Sequence, residues 1–399
     1  MAASAVDIVF AKIGCCLRID NAADAVQALI QAMPGWPVTV QPGAGVRPDI
    51  YIYRDGEGLW QSWRDNPTEF DLPSAAAAAC SLVGELIGRR LDTEPSLLGL
   101  HCGSVEINGR LVLFPESSKA GKSTLTVAFA AAGYRVFGDD VLGLTAGGVG
   151  VAMGVAPRLR MPLPDSFSAE FVDYAQRHAG PEDECYRFVI PAQNALACLD
   201  DTSPVAAIVL LERDAQIVEP EVVKLAPGEG LLQLLCQNFA SSDTPSAVLF
   251  ERLLPLMQRV PCLLLRYSEP LAGARYLAKV VKTPHLQTAS AASLLSHAQI
   301  SVADSALFDL ATVWLSARGV RNYPLGEEVF VIHTASGAIH RLNASAKIAW
   351  QLLQQEPLSG HALSDVIAAY FNAPLAEVSQ DIARLLTALS QASLIMQQQ

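Results

Sequence analysis

The residues best suited to chemistry are Gly121, Lys122 and Ser123, in the run Ala120-Gly121-Lys122-Ser123-Thr124, and the carboxylate pair Asp139-Asp140 about seventeen residues further on. A phosphate-binding loop bends so that several backbone N–H groups point at one phosphate above a helix N-terminus. A lysine then reaches the outer phosphates and a hydroxyl can hold Mg²⁺. Gly121, Lys122 and Ser123 meet the end of that pattern, with Ser118, Lys119, Ala120 and Thr124 placed around the same nucleotide phosphates. Glu116 stands at the first loop position, where the pattern has glycine, and Lys119 is near enough in sequence to offset its charge. Of the paired carboxylates, one can take a proton from an attacking hydroxyl and the other can hold Mg²⁺ or its water. The bland alternative is an acidic turn capping a strand in water; the nearby phosphate loop favours the functional reading. His101 alone reads as a structural histidine. Arg158 and Arg160, in APRLRMPLP, either clamp a phosphate or acidic group or are simply solvated.

The elements needed to position these residues are legible. SVEI, Asn108-Gly109 and RLVLF predict a hairpin, because Asn-Gly accepts the positive φ angles of a two-residue turn. A loop from Pro115 to Lys122 leads into a helix, STLTVAFAAA, stopped by Gly133. YRVFG is a buried strand ending at the aspartates, and neighbouring strands of an open parallel sheet deliver their C-terminal ends to one crevice. Further on come a strand VAAIVLLERD, helices around Leu231–Phe239 and Ala247–Gln258, a strand CLLLRY and a helix after Pro270. The expected organisation is a small N-terminal α/β domain (1–95), a phosphate-loop domain (96–282), a Ser/Ala-rich linker (283–305) and a third domain (306–399). The third domain opens with a hairpin, EEVFVIHTASGAIHRL, and continues with helices after Asn343, Ser359 and Pro374.

Composition narrows the class. Half of the 399 residues are hydrophobic and 17% are charged, which suits compact folded domains. A formal charge of -12 argues against a nucleic-acid partner, which needs a broad basic face. No run of eighteen apolar residues and no signal-peptide pattern occurs, so a cytoplasmic protein without a membrane span is expected. Eight scattered cysteines lack metal-ligand spacing and read as reduced.

The stretch LHCGSVEINGRLVLFPESSKAGKSTLTVAFAAAGYRVFGDDVLGL resembles the HPr kinase/phosphorylase family, and more closely the shorter HPr-kinase-related proteins of peptide-modification gene clusters. In that family a histidine opens the module, a hairpin leads to the phosphate loop, and a helix and strand lead to an aspartate pair. The resemblance implies an α/β, PEP-carboxykinase-like core and ATP-dependent phosphorylation of a serine with Mg²⁺. It also implies Asp139 as base, Asp140 near the metal with Ser123, Lys122 on the phosphates, and His101 touching phosphate or aspartate. The downstream Glu-Ile-Arg-Gly signature of true HPr kinases is absent, so neither phosphorylase activity nor HPr as substrate is implied.

Residues 306–396 resemble PqqD, a small peptide-chaperone domain that recognises leader peptides of ribosomally made natural products. Leu342, Asn343, Ala346, Trp350, Leu352 and Leu353 match its first helix. Asp381, Ile382, Leu385, Leu386, Leu389, Leu394 and Ile395 match its last, with Ser393 where glycine is usual. The resemblance implies a winged-helix-like α+β domain binding a precursor peptide. The leader would add to an exposed sheet edge near Val329–His333, against the last helix at Ile382–Leu389. Two rivals to the peptide kinase remain open: an inactive nucleotide-binding scaffold, and a phosphate-loop enzyme that hydrolyses or that activates a peptide carboxylate. Assembly into a homo-oligomer is left open as well.

Overall fold

Alternation of apolar and polar side chains builds the first sheet. The structure, a computed structural model, describes residues 5–43, 47–115, 120–192, 194–241, 243–282, 289–290 and 309–398. In β1 (Val6–Phe10) and β2 (Cys15–Asp20) alternate side chains, Ile8, Phe10, Cys15, Leu17 and Ile19, are buried. With β3 (Thr39–Pro42), β4 (Ile50–Asp55), β5 (Gly58–Trp63) and β6 (Asn66–Leu72) they form a sheet ordered β3-β1-β2-β4-β5-β6. Helices α1 (Ala23–Ala32) and α2 (Ala75–Asp92) share its core. The Ser74 hydroxyl caps α2 by accepting from Ala77 N at 2.9 Å. Inside α2, Gly84 and Gly88 each cost roughly 1 kcal/mol relative to alanine. A Cβ at either would meet nothing within 4 Å, so close packing does not require them.

The second sheet grows from the predicted hairpin. β7 (Leu98–Leu100) precedes β8 (Gly103–Ile107) and β9 (Arg110–Phe114), which pair antiparallel around Asn108-Gly109. After α3 (Lys122–Ala131) come β10 (Arg135–Gly138), β11 (Leu142–Leu144) and β12 (Val149–Ala152). A small side sheet is made by β13 (Arg158–Arg160), β14 (Ala179–Glu182) and β15 (Tyr186–Val189), with α4 (Ala169–Arg177) between its first two strands in sequence. The long β16 (Thr202–Arg213) crosses the middle of the main sheet, whose order is β10-β8-β9-β16-β12-β11-β7. β17 (Glu221–Leu225) is followed by α5 (Pro227–Cys236), α6 (Ser246–Met257), β18 (Cys262–Tyr267) and α7 (Pro270–Lys282). β18 lies parallel to β16, which is parallel to β9.

Two compact units result among the described residues: 1–224 with 236–240 and 260–290, and 225–235 with 241–259 and 291–399. The sequence segments 1–95 and 96–282 are not two separate bodies, because Ala156, Phe188 and Leu199 are buried in the same cluster as α1 and α2. Most of the linker, 283–288 and 291–305, lies outside the described residues. No helix among the described residues is long and apolar enough to cross a membrane.

In the first unit β19 (Ala289–Ser290) pairs with β17; in the second, β20 (Val313–Ser316) precedes a sheet ordered β21-β22-β23, from β21 (Val320–Leu325), β22 (Glu328–His333) and β23 (Ile339–Leu342). Helices α8 (Ala344–Gln355), α9 (Gly360–Phe371) and α10 (Leu375–Gln391) begin where the sequence places them, after Asn343, Ser359 and Pro374. Short β24 (Leu358–Ser359) and β25 (Ile395–Gln397) flank β20. Val329 and Val331 join the core of α8, α9 and α10, while Glu328 and Phe330, on the opposite face, meet α5 and α6. Phe250 of α6 lies 5.2 Å from both Tyr323 and Phe330, ring centre to ring centre. These two helices, read in the sequence as part of the middle domain, therefore pack with the C-terminal strands.

The same face carries a buried ionic cluster. Arg341 bonds Glu328 at 2.7 Å and Glu229 at 2.7 Å, and Gly228 N, in the first turn of α5, donates to Glu328 at 3.1 Å. Removing one partner of such a cluster strands the other charges without water. Arg341→Met should therefore cost about 3 kcal/mol in the unfolding transition that exposes Trp350, read by urea denaturation; an unchanged midpoint would show that the cluster contributes nothing.

Candidate functional site

The strand directions gather one end of the main sheet. β8 runs antiparallel to both β9 and β10, so β9, β10, β16 and β18 all point their C-terminal ends the same way. The sequence reading made β9 and β10 neighbours in a parallel sheet. The structure corrects this: β8 lies between them, because the tight Asn108-Gly109 turn pairs β8 directly with β9. Asp140 and the start of α3 still meet at one end of the sheet.

Gly121 caps α3 with φ +100, in the left-handed region, and a Cβ there would lie 2.9 Å from the Tyr267 hydroxyl. Lys122 follows as the first helical residue and is only 6% exposed. The N-terminus and dipole of a ten-residue helix, with no side-chain cap at Gly121 among the described residues, thus stand beside a cation, an arrangement that favours an anion. At the other wall, Gly138 allows the chain to turn sharply, since a Cβ would be 2.6 Å from the Val141 carbonyl oxygen. That turn presents Asp139 and Asp140.

Their environments differ. Asp139 is 4% exposed; its Oδ2 accepts from Arg158 N at 3.0 Å, and its Oδ1 has no hydrogen-bond partner of ordinary geometry among the described residues. Burial, then the charge of Asp140, push its pKa up to about 7, against the Arg158 N–H, the Ser123 hydroxyl and the Arg158 guanidinium. Asp140 keeps 45% of its side chain open to water. Burial acts to raise its pKa too, but His101, Arg158 and Lys122 outweigh it and hold the carboxyl below its usual range. Arg158 lies 3.3 Å from Asp140 Oδ2 and stacks 4.6 Å above the Tyr186 ring. His101 Nε2 is 3.7 Å from Asp140 Oδ1, while its Nδ1 is 2.9 Å from Gln237 Oε1.

A cleft of about 570 Å³ joins these groups. Its wall includes His101, Gly121, Lys122, Ser123, Thr124 and Asp140, six positions singled out in the sequence. Asp139 lines an adjoining cavity instead. Ala120 is described but does not line the cleft, and Glu116, Ser118 and Lys119 lie outside the described residues. Arg158 and Arg160, left open in the sequence, both line the cleft. Sequence reasoning missed Arg213, Tyr186 and Gln237. Arg213 had a signal, its place at the carboxyl end of a buried strand; Gln237 had none.

The C-terminal site is also redrawn. β22, which contains Val329–His333, is the central strand, hydrogen-bonded to β21 and β23, and offers no free edge. Ile382, Leu386 and Leu389 of α10 are at most 4% exposed and turn into the core. The four-residue apolar run Val329–Ile332 of β22 suits a core strand with neighbours on both sides, which is its position in the sheet.

Residues 328–395 match the family model of coenzyme PQQ synthesis protein D, so the chain carries a PqqD domain at its C-terminal end. No curated protein matches the chain. Among solved structures, TbiB1 in complex with the TbiA(beta) leader peptide is 23% identical, covering 20% of this chain and 93% of that one at a TM-score of 0.19. The Hpr(Ser) kinase/phosphatase from Coxiella burnetii is 15% identical, covering 42% of this chain and 83% of that one at a TM-score of 0.22.

Asp139 supplies a stability test. Its folded pKa lies above the unfolded value of about 3.9, so the folded state binds more protons, and stability falls as pH rises from about 4 to about 7. Asp139→Asn should melt higher than the parent at pH 8, with the gap closing below about pH 4. Asp140→Asn should lower the Asp139 titration midpoint from about 7, read by carboxyl NMR, because a like charge is lost. A midpoint that stays put or rises would contradict the coupling.

Proposed function

We propose that the chain is an ATP-dependent kinase that phosphorylates a serine or threonine of a ribosomally made precursor peptide, held through its leader by the PqqD domain. The observation that carries the reading is the meeting of Lys122 and the α3 N-terminus with two carboxylates of opposite titration behaviour. One buried, easily protonated carboxylate beside one that stays ionised is the division of labour that proton abstraction and cation binding need.

Lys122 and the first N–H groups of α3 would hold the outer phosphates, with Arg158, Arg160 and Arg213 offering further positive charge to the cleft. Ser123 and Asp140 line the same cleft and suit Mg²⁺, which takes one or two protein oxygens and completes its shell from phosphates and water. The nucleotide, when bound, would supply the phosphoryl group. Asp139 Oδ1, with no hydrogen-bond partner of ordinary geometry among the described residues, would accept the proton of the attacking hydroxyl, while Arg158 and His101 keep Asp140 charged and oriented. Catalysis would then be positioning and charge neutralisation.

For the leader, the sheet leaves two edges. β21 contains Pro324, which lacks an N–H donor, and its Tyr323 and Arg321 are engaged by Glu251 of α6. The outer edge of β23 (Ile339–Leu342) is therefore the better template for an added strand. The covalent link between the two domains would raise the local concentration of the acceptor hydroxyl.

Lys122→Ala should abolish transfer from γ-labelled ATP to a cognate precursor while leaving the leader's dissociation constant within about twofold, since the lysine is remote in sequence from the leader domain. Transfer at the parent rate would place the site elsewhere. In the parent, kcat/KM should rise with pH through about 7 as Asp139 ionises. Leader binding should slow amide exchange at 339–342; slowing confined to 320–325 would assign the peptide to the other edge.

A further inference from the structure

We propose that the cavity behind Asp139 is the acceptor-side pocket of the transferase, and that it takes a large apolar side chain adjoining the accepting serine or threonine. The inference rests on the kinase reading and gives α2, in the otherwise unassigned N-terminal segment, a part in choosing the substrate. The cavity measures about 370 Å³ and lies within one unit, between α2 and the turn after β10. Val83, Ile87, Leu91, Phe137, Met153 and Phe239 give it an apolar wall.

Two independent observations point to an occupant. Gly84 and Gly88 sit one turn apart on the same face of α2 and both line the cavity. Both are exposed, and a Cβ at either would meet nothing within 4 Å, so these glycines weaken the helix without permitting any closer packing and leave the mouth of the cavity open. Separately, Asp139 is only 4% exposed, lines the same cavity, and has no hydrogen-bond partner of ordinary geometry for its Oδ1 among the described residues. An unsatisfied buried oxygen of this kind is costly, and a substrate hydroxyl at the cavity rim would satisfy it.

The rim also fixes direction. Asp140 and Arg158 line both this cavity and the phosphate cleft, so a hydroxyl at their level stands between Asp139 and the phosphates. Residues flanking that hydroxyl would enter an apolar chamber whose charged groups are Asp92, Asp139, Asp140 and Arg158. The carboxylates of Asp92 and Asp140, with Asp139 adding its charge once ionised, outnumber the one guanidinium and disfavour acidic neighbours, and the apolar wall favours leucine-like or phenylalanine-like ones.

The test uses the full chain without nucleotide and two synthetic peptides, Ac-Gly-Leu-Ser-Leu-Gly-NH₂ and Ac-Gly-Asp-Ser-Asp-Gly-NH₂, followed by saturation-transfer NMR. Leucine methyl signals should appear with the parent protein and none should appear from the aspartate peptide. Gly88→Leu, which fills the chamber, should reduce the leucine signal about tenfold. Gly88→Ala should keep the signal and melt about 2 °C higher, as a helix relieved of a glycine. Equal signals from both peptides on the parent protein, or a leucine signal that survives Gly88→Leu, would overturn the proposal; the first comparison needs no variant to fold. Leucine-dependent binding by a protein that transfers no label from ATP would instead overturn the kinase reading and leave the pocket standing.

Discussion

The structure around the cleft depends on the burial of Asp139 next to a second carboxylate. Two adjacent carboxylates that share one small volume cannot both ionise cheaply, and the difference in solvent access decides which one does. Asp140, half open to water and flanked by Arg158 and His101, keeps its charge. Asp139, closed in by α2 and the sheet, holds its proton until about pH 7. Such a group is a liability to folding and an asset to proton transfer, a combination found where function sets the residue. The rest of the first unit serves this pair: Gly138 permits the turn that presents it, and Gly121 starts the helix that faces it.

The sequence made the local pieces legible because each rests on short-range physics. Asn108-Gly109 dictates its hairpin, Asn343 and Ser359 cap their helices, and the alternation in Ile50–Asp55 and Gly58–Trp63 marks half-buried strands. What could not be read was lateral order. Nothing local says that β8 inserts between β9 and β10, nor that β22 has partners on both sides, since these depend on long-range pairing. The same limit hid Gln237, which reaches His101 from 136 positions away.

The second unit shows how a helix pair can change allegiance. Read along the chain, α5 and α6 belong to the strands that bracket them. Their apolar residues, above all Phe250, and the glutamate of the first turn of α5 find their partners on β21, β22 and β23 instead. The PqqD domain thus has apolar helices on both faces of its small sheet, and its β23 edge remains as the place where backbone hydrogen bonds could be offered to a peptide.

The central claim is that the cleft moves one phosphoryl group onto a peptide hydroxyl. The most direct measurement is the intact mass of a cognate precursor after incubation with the protein, ATP and Mg²⁺. The account predicts a gain of one phosphate on a serine or threonine. A mass that does not change, or a loss of water or attachment of another group, would contradict it.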